Sequence, residues 1–242
     1  MDFAVYLGGE RTVIYKRGQG IVLNEPTLVA YKEIIEAPAK KHKRKAKKPR
    51  PTTKVIAVGK DAAKLEGHED VFVVCPFLNG RITDTILAGA LFTDLFKKVS
   101  GGSVAVKRRC IICIPSSLTA SELNDYKTTV YVAGVAEAKF IPAVVASAFN
   151  KGYDVHSEFV ALSVITENGG ADMAVILNGE IIAGGTVEDA SKLEDAKKQI
   201  LSTLEGVEEY DDLGLGDRIS VITGAGWLLE KDLLVKKLIK VN

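Results

Sequence analysis

Short apolar runs separated by glycine turns open the chain and predict a β-meander. Residues 4–7 and 12–15 are predicted strands joined by a turn at Gly8-Gly9, because each run is rich in β-branched and aromatic residues and flanked by turn residues. Residues 21–23 and 27–31 are predicted to continue the same antiparallel sheet. The pattern therefore favours a sheet that begins with adjacent, hairpin-connected strands.

An α/β pattern follows the meander. Residues 84–99 repeat apolar side chains at helical spacing, and residues 110–115 form a continuous apolar run typical of a strand covered on both faces. Thr119 and Glu122 have the spacing of a capping box, which predicts the start of another helix. A brief strand and a helix are predicted to complete this unit, at residues 139–141 and 144–149.

A second unit of similar design is predicted downstream. Its predicted strands are residues 159–165, 173–177, 180–183 and 218–223, and its predicted helices are residues 187–204 and 227–239. Gly179 lies between the second and third of these strands and predicts a second hairpin. Two units, each a hairpin followed by α/β elements, indicate a duplicated architecture.

Composition places the chain among soluble globular proteins. It has 242 residues, 47% of them apolar and 26% charged, and no run of 18 apolar residues. The N-terminal residues lack a basic segment and a cleavage site, and three cysteines cannot all pair with one another, so we expect a reducing cytoplasm. Cys110 and Cys113 have a C-x-x-C spacing, but residues i and i+3 of a strand face opposite sides, which favours core packing over redox chemistry.

One segment is intensely basic. Residues 36–53 interrupt the predicted sheet with three prolines and are predicted to be an exposed insertion. Its candidate anion-binding residues are Lys40, Lys41, Lys43, Arg44, Lys45, Lys47, Lys48 and Arg50. Clustered cations of this kind attract anionic lipid or nucleic acid, and a merely solvated loop is the alternative. The lack of Phe, Tyr or Trp in this block disfavours base stacking, so a membrane surface is the preferred partner over nucleic acid.

Several segments resemble the bacterial actin homologue MreB, a member of the actin-like ATPase superfamily. The matching stretches are Gly-Gln-Gly-Ile-Val-Leu-Asn-Glu-Pro at 18–26, Val-Ile-Ala-Val-Gly-Lys at 55–60, Pro-Phe-Leu-Asn-Gly-Arg-Ile at 76–82, Ile-Pro-Ser-Ser-Leu-Thr at 114–119 and Thr-Gly-Ala-Gly at 223–226. The resemblance implies an α/β, actin-like (RNase H-like) fold with two lobes. It also implies that both outer subdomains are missing or vestigial, because the sequence is short where they would lie.

The resemblance divides the chain into two inner subdomains. Residues 1–152 would form the first, with the basic insertion at 36–53 in place of one outer subdomain. Residues 153–242 would form the second, with a reduced outer part at 184–217.

The same resemblance implies a degenerate nucleotide site. Its vestigial nucleotide loops would contain Gly8, Gly9, Thr12, Gly169, Gly170, Gly224 and Gly226. The first loop aspartate of the family aligns with Tyr6, and the second with Ile165, so neither position can organise magnesium around phosphates. The catalytic Glu-Glu-Pro aligns with residues 142–144, Pro-Ala-Val. Glu167 would replace a lost aspartate only if the alignment moved by two residues.

These features predict a non-catalytic, actin-like cytoskeletal or scaffold protein, a pseudo-ATPase without cofactor or metal. It would act in the cytoplasm, with the membrane surface as a second location, by self-assembly into oligomers or filaments or by binding other cytoskeletal proteins. An alternative is a filament protein that binds ATP with magnesium and takes part in cell shape. A further alternative is an adaptor that binds nucleic acid or anionic membrane through the basic segment. Trp227 is a candidate plug of the former adenine pocket.

Overall fold

The chain is described by a computed structural model that covers residues 2–35, 51–100, 108–150, 160–167, 169–205 and 220–225. Within these residues, two sheets lie on opposite faces of one apolar helix. We call the part up to residue 142 the first lobe and the part from residue 160 onward the second lobe. The predicted boundary between residues 152 and 153 and the predicted helix at 227–239 lie outside the described residues.

The first lobe is built on a five-stranded sheet. In spatial order its strands are β3 (Gly20–Pro26), β2 (Arg11–Lys16), β1 (Phe3–Leu7), β9 (Arg108–Ile114) and β10 (Val135–Pro142). The first three strands are antiparallel, whereas β9 runs parallel to both β1 and β10. The continuous apolar run predicted as an internal strand is therefore confirmed as β9. Strand β10 is longer than the predicted residues 139–141.

Two helices cover one face of this sheet, as their apolar stripes predict. They are α2 (Thr85–Val99) and α3 (Ala120–Val132). Helix α2 begins where Asp84 accepts hydrogen bonds from two backbone amides, both at 2.9 Å. Its Phe92 and Phe96 rings are fully buried and meet edge to face at 4.5 Å. Burial of each ring stabilises the fold by roughly 1.5–3 kcal/mol.

A small sheet and a short hairpin extend the first lobe. They consist of β4 (Val29–Ile35), β5 (Pro51–Val58), β6 (Phe72–Val74), the short helix α1 (Lys60–Ala63), and the pair β7 (Phe77–Leu78) and β8 (Arg81–Ile82). The prediction that β4 continues the meander was wrong, because β4 pairs with β5 and β6 instead. Pro26 ends β3, and proline has no N–H with which to continue a ladder. Strand β5 also begins at Pro51, inside the predicted insertion.

The second lobe repeats the topology of the first. Its sheet has the order β13 (Glu180–Val187), β12 (Gly170–Leu177), β11 (Val160–Glu167) and β14 (Ser220–Ala225). As in the first lobe, three antiparallel strands are followed by one parallel neighbour of the first strand. The predicted duplication is confirmed at the level of topology.

The helix predicted over 187–204 is shorter in the structure. Residue 187 still belongs to β13, and a single 3₁₀ turn (Ala190–Lys192) precedes α5 (Leu193–Ser202). Asp189 caps that turn by accepting a hydrogen bond of 2.9 Å from the amide of Ser191. An aspartate in this position favours a turn over a helix interior, which explains the later start.

Helix α4 (Ala143–Asn150) lies between the two sheets and packs against both. Its apolar partners include Ala4 and Ile111 on the first sheet and Ala161 and Ala174 on the second. The small alanine side chains among these partners, Ala4, Ala161 and Ala174, let the helix approach both sheets closely. The opposite faces of the sheets are covered by α2 and α3 in one lobe and by α5 in the other. The two lobes thus share one central apolar layer.

Candidate functional site

A narrow cleft lies between the lobes, at the carboxyl ends of the parallel strands β1, β9 and β11. This edge is where ligands commonly bind in α/β sheets. The cleft has a cavity volume of about 30 Å³, which is room for a water molecule. It is lined by Tyr6, Leu7, Asn79, Gly80, Cys113, Ile114, Pro115, Ala143, Ile165, Glu167, Ala171 and Asp172.

The first predicted nucleotide loop is the turn between β1 and β2. The Gly8 amide donates to the carbonyl of Arg11 at 3.1 Å and closes the turn. Thr12 does not line the cleft, because its buried hydroxyl pairs with that of Thr27 at 3.0 Å. At this turn Tyr6 and Leu7 line the cleft, and Gly8 and Gly9 follow them in the chain.

Glu167 brings the second lobe onto this turn. Its carboxylate accepts hydrogen bonds from the Tyr6 hydroxyl at 3.1 Å and from the Glu10 amide at 3.2 Å, and the Gly9 amide donates to it as well. A Cβ atom at Gly8 would collide with the same carboxylate. Glycine at position 8 is therefore required by the close approach of Glu167.

Burial dominates the electrostatics of this contact. It raises the pKa of Glu167, while the hydrogen bonds from the Gly9 and Glu10 amides and from Tyr6 offset part of that rise. Burial and the neighbouring Glu167 charge raise the pKa of Tyr6 well above its ordinary value. Burial also raises the pKa of the Cys75 thiol, which donates to the Gly9 carbonyl at 2.9 Å. The turn is thus surrounded by acidic and neutral groups.

Asp172 makes a second contact across the cleft. It projects from β12, and its carboxylate accepts the Ser116 amide at 2.9 Å and the Ser116 hydroxyl. Burial raises the pKa of Asp172, whereas the Ser116 hydrogen bonds lower it. Sequence reasoning missed this residue. The available signal was a single carboxylate between Ala171 and Met173 in an otherwise apolar strand.

Asn79 makes a third close contact between the lobes. It lies in the turn between β7 and β8 with φ of 48°, and its side-chain oxygen is buried with no hydrogen-bond partner among the described residues. A Cβ atom at Gly170 would lie 2.8 Å from that oxygen. Gly170, predicted as part of the second nucleotide loop, therefore admits Asn79 into the cleft.

The remaining predicted site residues have different places. Gly169 lies in the turn before β12, and Gly224 lies on β14 beside Ile165. Ile165 is 3% exposed and belongs to the central apolar layer. Gly226, Trp227 and the basic residues between 40 and 50 lie outside the described residues. No group of three or more His, Cys, Asp or Glu side chains capable of holding a metal occurs in the described part of the chain.

The remaining two cysteines lie on opposite faces of β9, and Cys113 lines the cleft. Cys110 packs under α2 and α3, whereas Cys113 faces the central layer, so the predicted opposite orientation is confirmed. Within the described ranges, none of the helices has the length and apolar character needed to cross a membrane.

Two sheets of matching topology around a shared helix, with a cleft at their strand ends, define an actin-like protein. The family model described as MreB/Mbl protein matches residues 1–202. The chain belongs to the MreB/Mbl family.

Curated relatives and solved structures agree with this assignment. The chain is 28% identical over 199 residues to the cell shape-determining protein MreB of Escherichia coli, covering 81% of this chain and 54% of that protein. It is 25% identical over 191 residues to the cell shape-determining protein Mbl of Bacillus subtilis, covering 78% and 52%. The chain therefore spans about half the length of these relatives.

The solved structures that the chain resembles are also about twice as long as the matched part. A crystal structure of MreB 5 of Spiroplasma citri bound to AMPPNP superimposes with a TM-score of 0.63 at 22% identity, covering 80% of this chain and 54% of that one. The ADP-bound MreB5 structure from the same organism gives a TM-score of 0.60 at 23% identity. These values establish a shared fold.

Proposed function

We propose that this chain is a nucleotide-independent, non-catalytic cytoskeletal protein of the actin-like type, which acts by self-assembly or by binding other proteins of a cytoplasmic scaffold. The observation that carries the proposal is the position of Glu167. Its carboxylate accepts the amides of the first turn, which in the proposed ancestral site would face a phosphate. Membership of a family whose named relatives determine cell shape supports a cytoskeletal role.

The tethered carboxylate competes directly with any phosphate. Glu167 accepts the Gly9 and Glu10 amides from within the same chain, so its effective concentration at the turn is high and constant. A phosphate oxygen would have to displace it and would leave a partly buried carboxylate without its amide donors. The loss of these donors is costly, which disfavours the exchange.

The charge of the cleft and its narrowness both disfavour the binding of a nucleotide. Glu167 and Asp172 both lie there, partly buried, and two carboxylates in one narrow site repel a triphosphate. The cleft between the described residues is narrow, with a cavity volume of about 30 Å³. Tyr6 also stands where a magnesium-organising aspartate is expected. The described residues do not fit magnesium nucleotide, so we assign no hydrolytic step to this cleft.

A second candidate is an ATP-binding filament protein. Two carboxylates in one cleft can hold magnesium through water, and the two Spiroplasma citri neighbours are described as bound to ADP and to AMPPNP. This candidate requires Glu167 and Asp172 to leave their present partners and the lobes to separate.

Thermal unfolding with and without millimolar Mg-ATP distinguishes the two candidates. A ligand present at 100 times its Kd stabilises the folded state by about 2.7 kcal/mol, which corresponds to about 5–11 °C for a chain of this size. We expect no shift and no phosphate release. Sedimentation of the same samples should depend on protein and salt concentration but not on ATP.

A rise of several degrees in the wild-type protein would overturn the proposal in favour of the second candidate. Glu167→Ala is the matched variant, because it removes the competing carboxylate. A shift seen in this variant and not in the wild type would identify Glu167 as the cause of nucleotide independence. The exposed Glu180→Ala is the control, since its site lies at the start of β13 and outside the cleft.

A further inference from the structure

The lobes meet through two layers of different chemistry. One is the apolar layer around α4, where the Ser163 hydroxyl donates to the Val144 carbonyl at 2.8 Å and anchors the helix to the second lobe. The other is the polar contact at the mouth of the cleft. Apolar packing is non-directional, so the first layer by itself does not specify how far the cleft opens.

The polar layer is directional. Glu167 of the second lobe accepts the Glu10 amide, and Asp172 of the second lobe accepts the Ser116 amide. Both acceptors are carboxylates, both lie at the same end of the β11–β12 hairpin, and both receive backbone N–H groups from loops of the first lobe. Hydrogen bonds to charged groups are about twice as strong as neutral ones and have narrower geometry.

Among the residues that the structure describes, neither carboxylate has a basic partner in this contact. The hydrogen-bond donors to Glu167 are Tyr6 and the Gly9 and Glu10 amides, and those to Asp172 are groups of Ser116 and the Met173 amide. Arg81 influences Asp172 only from a distance, because its guanidinium pairs with Glu122. The two partly buried carboxylates are therefore held chiefly by amide and hydroxyl groups, and most of these belong to the opposite lobe.

We propose that Glu167 and Asp172 form an intramolecular latch that holds the two lobes closed without any ligand. The latch would keep the protein in one conformation that is competent for assembly. The lobes would open by moving about α4, the helix that packs against both sheets. Opening the cleft would break the hydrogen bonds that these carboxylates accept from the Tyr6 hydroxyl and from the Glu10 and Ser116 amides, which gives the closed arrangement its preference. This inference extends the proposed function, since both assume that no nucleotide bridges the lobes.

Small-angle X-ray scattering and hydrogen exchange of nucleotide-free protein test the latch. In the double variant E167A/D172A we expect a larger radius of gyration. We also expect at least about tenfold faster exchange in peptides containing the Glu10 and Ser116 amides. In E167Q/D172N the carbonyl oxygens still accept these amides, so most of the protection should return. Glu180→Ala should match the wild type in both measurements.

If the double variant does not fold, the single variants E167A and D172A test the latch instead. E167A should expose the Glu10 amide first, and D172A the Ser116 amide first. Unchanged scattering and exchange in folded E167A or D172A would overturn the latch and leave the α4 layer as the sole determinant of closure. ATP binding by the wild type would instead overturn the proposed function, while these nucleotide-free measurements would still decide the latch.

Discussion

The hydroxyl of Tyr6 donates a hydrogen bond of 3.1 Å to the carboxylate of Glu167, 161 residues further along the chain. The tyrosine stands at the position where the resemblance implies a lost aspartate. A carboxylate has thus reached the same turn from the other lobe, but its oxygens are engaged by Tyr6 and by backbone amides. The pairing of Tyr6 with Glu167 is a direct contact between the lobes.

The partly buried carboxylate of Glu167 should make the stability of the protein depend on pH. The pKa of Glu167 is raised in the folded state, so the folded protein holds its proton more tightly than the unfolded chain does. The resulting stability is fully present below the ordinary glutamate pKa and is lost as the pH rises through the raised value. Glu167→Gln remains neutral, so it should lose less stability than the wild type as the pH rises above the ordinary glutamate pKa.

Urea unfolding at several pH values measures this difference. The groups facing Glu167 are Tyr6, Glu10 and Cys75, and they remain unchanged in the variant. Exposed Glu180→Gln is the control and should follow the wild-type curve. Parallel curves for the wild type and Glu167→Gln would contradict the prediction.

A buried tyrosine should contribute measurably to stability. Tyr126 is fully buried, and its hydroxyl donates to the Gly80 carbonyl in the turn between β7 and β8. Tyr126→Phe leaves that carbonyl without its donor and should cost about 1–3 kcal/mol. Tyr131→Phe, at a site 49% exposed, should change the free energy of unfolding by no more than about 0.5 kcal/mol. Equal values for both variants in chemical denaturation would refute this assignment.

The capping box of α3 should contribute about 1 kcal/mol to the free energy of unfolding. The Thr119 hydroxyl accepts the Glu122 amide at 3.3 Å, and the Glu122 carboxylate accepts the Thr119 amide at 2.7 Å. These bonds, together with Arg81, hold the pKa of Glu122 at about 2, so the contribution of its charge is lost only in strong acid. Thr119→Ala should lower the free energy of unfolding by that amount, whereas Thr119→Ser should retain most of it.

The cysteines should differ in reactivity. Burial raises the pKa of both Cys110 and Cys113 to about 12, so neither thiol is ionised near neutral pH. Cys75 is only half-buried and should react first with a thiol reagent in the native protein. Mass spectrometry should find label on Cys110 and Cys113 only after denaturation. Native Cys75→Ser protein that labels rapidly would show that the β9 thiols are accessible.

Local patterns predicted most of the regular structure. The opening hairpin, α2, β9 and the capping box of α3 all follow from periodicity and capping signals within a few residues. The errors lie where competing local preferences are nearly equal. Strand β4 pairs with β5 and not with β3 as predicted, and α5 begins after the Asp189 turn, later in the chain than predicted. In both places two conformations were locally acceptable, and tertiary contacts decided between them.

The candidate site was only partly predictable. The motifs located the Gly8-Gly9 turn and Gly170 and identified Tyr6 as a departure from the expected aspartate. They did not place Glu167 on that turn or Asp172 on Ser116. Neither contact has a sequence spacing that a local rule can recognise.

The sequence by itself determined the elements, the duplicated order of hairpin and α/β units, and the family, because each depends on residues close together in the chain. The tertiary structure alone decided which groups face each other across the cleft. That choice depends on how two sheets pack on α4, and it brings Tyr6 and Glu167 together from distant parts of the chain. Burial then shifts their protonation and engages their hydrogen bonds, which are properties that residue types do not reveal until the lobes have met.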